Sequence, residues 1–398
     1  MPTTDRAPWG LILLIYLIGV AAMLVVSIAV PALGGIGAEF HPKSQSLVGW
    51  VMSMPALAAA LGSLPMGGLV DRFGDRRIMV AGAALVLLGD VGVITAGSIE
   101  TLLAWRVVGG FGYVGMAVAA VTMISRLTAG KQRVAALALW STVIPASFIA
   151  SSIYGATAGA HIGWRGAFIG HAAATAVLVA VGRLLLPGIA PDARQPNRMA
   201  AVKQVVRTPW PFVLGLSFAA AAFLQTGFVA TLPHLLSVKL GAEEAEVHSF
   251  NILAMLCNVG GAFLFGALCN RGVRPAILGC AALTMSGLCA AGLILAPSDM
   301  IAAIGMNCGL MFGLGVLVGM WALMPIVAPS PAAMGATSGL ITQVTLVGVL
   351  FGPPLAFAGL HAGENGSLLF LAAGLVIALV GWPVWRRGGE APAAPAAH

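Results

Sequence analysis

Charge is what this chain has least of. It holds 20 Lys and Arg and 13 Asp and Glu in 398 residues, or 8%, where a soluble domain carries about 25%. So few charges cannot cover a water-facing surface on a chain this long, which excludes a soluble enzyme, a secreted protein and an intrinsically disordered chain. A soluble-looking block is missing too, because apolar runs recur from Trp9 to Trp385, and a single-span anchor is thereby excluded. The few cysteines, Cys257, Cys269, Cys280, Cys289 and Cys308, form no pair at metal-ligand spacing; they read as small apolar core residues, with neither a disulfide framework nor a metal site. No Ser-His-Asp arrangement, H-E-x-x-H, G-x-x-x-x-G-K-[ST] or nucleotide-binding block is present. The expectation is therefore no enzyme activity, no ATP drive, no metal and no cofactor.

What is abundant is apolar sequence, 59% of the chain, with a mean hydropathy of +0.99. Crossing the hydrocarbon takes about 20 apolar residues per helix, and the breaks leave twelve candidates: 10–33, 47–70, 78–98, 101–125, 134–160, 166–187, 210–237, 250–269, 276–296, 300–327, 334–359 and 366–385. The fold class is an all-α membrane protein of twelve transmembrane helices. The first run is too long for a signal-peptide core and has no small-residue cleavage site, so it reads as a retained span. All Lys and Arg except Lys43, Arg165, Lys239 and the intramembrane Arg106 fall on loops of one side; the positive-inside rule makes that side, and both termini, cytoplasmic. The net charge of +7 sits in these short loops and not on one water-exposed face, so no nucleic-acid partner is expected.

The longest polar interruption, 188–209, divides six spans from six: an N-terminal bundle 1–187, a cytoplasmic linker, a C-terminal bundle 210–387 and a short tail 388–398. Within the linker, MAAVKQVVR reads as a short amphipathic helix with a basic side for anionic headgroups. The halves echo each other. Gly67, Leu69, Asp71 and Arg72 follow the second span; 199 residues on, half the chain length, Gly266, Leu268, Asn270 and Arg271 follow the eighth. A six-plus-six duplication into two pseudo-symmetric bundles is the plan of many secondary transporters, with substrate near the midplane.

The loop after the second span reads Gly67-Gly68-Leu69-Val70-Asp71-Arg72-Phe73-Gly74-Asp75-Arg76-Arg77. Glycine permits close helix approach and a positive φ, and Asp71 suits a helix N-terminus or a basic partner. This run resembles the G-x-L-x-D-R-x-G-[RK]-[RK] signature of the major facilitator superfamily, departing from it at Asp75, where a basic residue is usual. Arg106-Val107-Val108-Gly109-Gly110-Phe111-Gly112 in span 4 is similar to the R-x-x-x-G-x-G element of proton-coupled members, particularly the twelve-span drug:proton antiporters and cyanate-transporter-like members. The antiporter Gly-Pro of span 5 is absent, and Gly348-x-x-x-Gly352-Pro353-Pro354 stands in span 11 instead. The resemblance implies alternating access, with Gly67, Asp71, Arg72, Gly74, Arg76 and Arg77 as a conformational latch.

Only Asp90 and Arg106 are charges well inside spans. A charge at a helix centre costs about 2.5–3.5 kcal/mol on insertion scales and is a functional-site candidate by default. At 1.5 Å per residue the two lie about 12 and 8 Å below the outer surface. They either pair as a structural bridge, or Arg106 faces the cavity to bind an anion or modulate a carboxylate. On shared faces stand Arg106 with Tyr113, Ser147 with Ser151 and Tyr154, and Asn251 with Asn258; Gln225, Asn307 and Gln343 add amides to spans 7, 10 and 11. Each is a candidate for substrate or proton coupling, against the plainer alternative of an interhelical hydrogen bond. His171 and His234 lack a carboxylate at local spacing and are weaker candidates.

These observations favour a proton-coupled secondary transporter exporting a small organic molecule across a bacterial inner membrane, expected to be a monomer whose partners are substrate, protons and lipid. Uptake of a small organic anion, with Arg106 as counter-charge, is the alternative. A non-transporting sensor would need an appended soluble domain, and the tail is too short to be one. If the loop is a latch, Asp71→Asn should leave insertion and abundance intact while slowing transport, through a conformational shift of about 1–3 kcal/mol. Native transport at matched expression would refute the latch.

Overall fold

The computed structural model describes residues 9–44, 46–128, 132, 136, 139–140, 142–188, 198–295, 297, 299–330 and 333–388, with the side chains of a few further positions, Asp71 among them, outside that description. Its elements are helical throughout. The first half has α1 (Trp9–Ser27), a 3-10 turn at Val30–Ala32, α2 (Leu33–Phe40), α3 (Ser46–Phe73), α4 (Asp75–Ile94), α5 (Ile99–Leu127), α6 (Val143–Thr157) and α7 (Gly159–Leu185). After the linker helix α8 (Arg198–Val206) come α9 (Pro209–Leu240), α10 (Glu244–Asn270), α11 (Pro275–Leu295), α12 (Met300–Gly319), α13 (Met324–Val327), α14 (Met334–His361), α15 (Gly363–Leu379) and α16 (Trp382–Gly388).

Ten candidate spans, several of them joined from these pieces, are long and apolar enough to cross a bilayer, and α15 with α16, bent by 43°, makes an eleventh. The 15-residue α6 lies within the expected span 134–160, several of whose first residues fall outside the described ones. Helices dominate for a physical reason: without water, each backbone N–H and C=O must be satisfied inside its own segment. MAAVKQVVR forms α8 as its pattern suggests.

The described residues fall into two compact units. Unit 1 takes those of Met1–Gln195 with Val229–Ile252 and Pro353–Ala358; unit 2 takes those of Pro196–Phe228, Leu253–Gly352 and Gly359–His398. In unit 1, α4 and α5 lie so close that a Cβ on Gly82 would stand 2.7 Å from the Gly112 carbonyl. Small residues therefore set this helix spacing. The α3–α4 turn passes through Gly74 at φ 89°, and the α10–α11 turn of unit 2 through Gly272 at φ 86°. Both are left-handed conformations that favour glycine, and their near-equal place in each half supports the internal repeat.

The departure from the signature at residue 75 has a structural use. Asp75 is fully buried at the start of α4, accepting from the Arg76 N–H at 2.7 Å and pairing with Arg126 at the end of α5 at 3.0 Å. An acid in a first helical turn and a cation in a last turn both suit the helix dipoles. Arg76 Nη1 donates to the Leu186 carbonyl at 3.1 Å, closing the end of α7. Because the Arg126 side chain is only 18% exposed, this pair escapes much of the screening that weakens surface bridges. A double-mutant cycle over Asp75→Ala and Arg126→Ala should show a coupling energy of about 1–3 kcal/mol in the unfolding of purified protein. Additive losses would show that the pair contributes nothing.

Candidate functional site

Unit 1 gathers three buried ionisable side chains, Arg106, Asp90 and His171, in one cluster built on α1, α3, α4, α5 and α7. Arg106 of α5 is 2% exposed. Its Nε donates to the Val51 carbonyl of α3 at 2.8 Å, and its Nη2 donates to the Val25 carbonyl of α1. Neither acceptor is arbitrary. Val51 lies four residues before Pro55, which has no N–H to return the helical bond. Val25 belongs to the last turn of α1, where helical donors run out. Arg106 thus supplies two helices with donors their own backbones lack, and its guanidinium also lies 5.4 Å from the Phe168 ring centroid.

Asp90 does not ion-pair with Arg106. Its Oδ2 stands 2.8 Å from Nδ1 of His171 on α7, both side chains being almost fully buried. The other ring nitrogen, Nε2, is 2.8 Å from the Ala21 carbonyl of α1. A carbonyl only accepts, so Nε2 carries hydrogen. Nδ1 and Oδ2 meet as an ion-pair contact without the alignment of a hydrogen bond, and both atoms are buried with no hydrogen-bond partner. Arg106 lies within the electrostatic reach of Asp90.

Two features escaped sequence reasoning here. His171 lies on a different helix from Asp90, so no local spacing reveals it. The Val51 carbonyl left a signal that went unused: a proline within a span orphans the carbonyl four residues earlier, and Arg106 is the one mid-span cation available to it.

The remaining candidates separate between the units. In unit 1, Ser147 and Ser151 bond back to the carbonyls of Ile144 and Phe148, a common use of a helical hydroxyl. Tyr113 is buried on α5, and Tyr154 donates to the Gly163 carbonyl at 3.0 Å, where α7 breaks. Asn251 Nδ2 donates to Ser152 Oγ at 3.0 Å, tying the start of α10 to α6. In unit 2, Gln225 reaches the Met255 sulfur at 3.9 Å, Asn258 donates to the Met311 carbonyl at 2.9 Å, and Gln343 is half-buried on α14. Asn307 is 1% exposed with neither amide atom bonded. Of the residues expected to form a latch, Gly67 is buried, Gly74 makes the turn, Arg76 caps α7, and Arg72 and Arg77 are exposed, Arg72 lying 5.3 Å from the Phe73 ring centroid.

Apolar helices of membrane length make this a multi-pass membrane protein, and comparison with known proteins makes it a transporter. The chain belongs to the Major Facilitator Superfamily, whose family model matches residues 15–353. It is 27% identical to human monocarboxylate transporter 11 over 85% of this chain and 74% of that one. It is also 27% identical to the tetracenomycin C resistance and export protein of Streptomyces glaucescens, over 92% and 73%. A bacterial homologue of the human lysosomal transporter Spinster, solved in an inward-facing and occupied conformation, shares the fold with a TM-score of 0.76 at 16% identity, over 97% of this chain and 99% of that one. The chain is a transporter of small substrates.

The clamp yields a test specific to Arg106. Arg106→Ala should lower the melting temperature by stranding two buried carbonyls, each costing about 1–3 kcal/mol. In a Pro55→Ala background, where residue 55 regains an N–H for Val51, the same change should cost measurably less. An equal loss in both backgrounds would show that Arg106 is not held by the proline's orphan.

Proposed function

We propose that this chain is a proton-coupled secondary transporter that exports a small organic molecule across the bacterial inner membrane by alternating access. Two six-helix halves, 1–187 and 210–387, rock about the 188–209 linker, with both termini cytoplasmic. The observation that carries this reading is the Asp90–His171 pair. It brings a buried carboxylate against a buried imidazole, with Arg106 within electrostatic reach of Asp90, and to this pair we assign the uptake and release of the coupled proton. Histidine suits the task because it changes charge within the physiological range. Asn307, whose unbonded amide is costly to bury, is the substrate contact we favour in unit 2, with Gln225, Asn258 and Gln343 as secondary candidates. The Asn251–Ser152 bond serves as a contact that must open during the cycle. The loop residues Gly67, Asp71, Arg72, Gly74, Arg76 and Arg77 latch one state.

Export draws support from the similarity to the tetracenomycin C export protein. A second reading, uptake of a small organic anion, has its own support: Arg106 spends only two of its N–H groups on backbone out of the five a guanidinium offers, and one relative is a monocarboxylate transporter.

Proteoliposomes under an imposed pH gradient separate the readings. Ethidium should accumulate with the interior acidic under antiport, and gluconate with the exterior acidic under symport. The probe that moves should slow at least tenfold in Asp90→Asn and in His171→Gln, with melting temperatures near wild type. Wild-type rates in both variants, or transport indifferent to the gradient, would overturn the coupling.

A further inference from the structure

Away from the buried cluster, unit 2 carries an open groove of about 650 Å³ at the basic end of α11. Arg274, just before α11, and Ile277, Ala281 and Thr284 along it form one side; Trp382 and Arg386 of α16 form the other. Residues 277, 281, 284 and 288 share a helical face. That face is open: Ile277 is 60% and Leu288 71% exposed. On α16, Trp382 and Arg386 are one turn apart and exposed, while Trp385 is fully buried against Gly279, where a Cβ would stand 2.6 Å from its ring. Trp385 thus locks the rotation of α16 so that its other face presents an aromatic ring and a guanidinium to the groove.

Neither Arg274 nor Arg386 has a carboxylate partner among the described residues. Two unneutralised guanidinium groups therefore stand at one end of a groove whose length is apolar, and α11 adds the positive end of its dipole there. The occupant that complements this surface has an anionic head and a long apolar tail. Tryptophan marks the level of lipid headgroups, and basic pockets between transmembrane helices bind anionic ones.

We propose that this groove is a binding site for an anionic glycerophospholipid of the leaflet on the linker side. Its phosphate lies between Arg274 and Arg386, and one acyl chain lies along Ile277, Ala281, Thr284 and Leu288. The charge pattern selects against zwitterionic lipid, whose ammonium group would meet two guanidinium groups. The site depends on the chain spanning a membrane and is independent of the direction or coupling of transport.

Brominated lipids test it through Trp382. Purified full-length protein in mild detergent is titrated with brominated phosphatidylglycerol or brominated phosphatidylcholine, and the Trp382 signal is taken as the difference between wild type and Trp382→Phe. The anionic lipid should reach half-maximal quenching at a concentration at least fivefold lower than the zwitterionic one. That preference should vanish in Arg274→Gln/Arg386→Gln and persist, weakened, in Arg274→Lys/Arg386→Lys, which also serves as the folding control. Inorganic phosphate at millimolar concentration should not compete. Equal quenching by the two lipids in wild type would overturn the site, as would a preference that survives in the Gln double variant. Competition by phosphate alone would reduce it to a simple anion site and refute the lipid.

Discussion

Backbone carbonyls that lose their helical donors have nowhere to turn in a membrane, and the architecture of unit 1 follows from how that shortage is met. Pro55 opens the Val51 carbonyl of α3, and the end of α1 leaves the Val25 carbonyl. In water such groups would be solvated at little cost; in hydrocarbon each costs several kcal/mol. Arg106 answers both and so pins α1, α3 and α5 to one another. Ala21 lies one turn before Val25 on the same face of α1. The clamp therefore also sets the carbonyl that fixes the tautomer of His171. The tautomer of His171 and its approach to Asp90 both descend from that placement.

The same commitment explains why Asp90 pairs with a histidine. A guanidinium whose donors point at two carbonyls is not free to grip a carboxylate in its bidentate fork. Had Asp90 and Arg106 formed such a fork, both would stay charged across the physiological range and the pair would be a permanent brace. A carboxylate facing an imidazole is different in kind, since an imidazole is not obliged to stay charged. Arg106 remains within electrostatic reach of Asp90. The arrangement separates two contacts, with arginine holding helices through their carbonyls and the acid facing the imidazole.

How far this was legible in the sequence follows from geometry. Span number and order could be read because each helix must be apolar over a bilayer thickness, which leaves its mark in one dimension. Asp90 and Arg106 stood out as charges in such runs. Their partners did not, because depth along a helix is written in sequence whereas azimuth about its axis is set by packing. Depth arithmetic brought Asp90 and Arg106 level, but rotation turned Asp90 toward α7. Asp75 looked like a blemish in a basic signature, yet it is the acid that receives Arg126. The serines of α6 shared a face as expected and spend their hydroxyls on their own helix.

The two halves share a left-handed glycine turn yet divide their polar chemistry. Asp90, Arg106 and His171 all belong to unit 1, whereas the spans of unit 2 hold, among the described residues, amides at depth and charges only at their ends. Duplication supplies equivalent scaffolds, and nothing in the fold obliges both copies to keep ionisable groups. An amide differs from a charge in what it asks of a ligand. It cannot draw an ion from a distance, but once buried it rejects a ligand that fails to complete its hydrogen bonds, because the unpaired group is left at full cost. Asn307 is buried in unit 2 with both ends unbonded. The chain thus keeps its buried acid, imidazole and guanidinium in unit 1 and an amide without hydrogen bonds in unit 2, so each kind of polar group can change by mutation without altering the partners of the other.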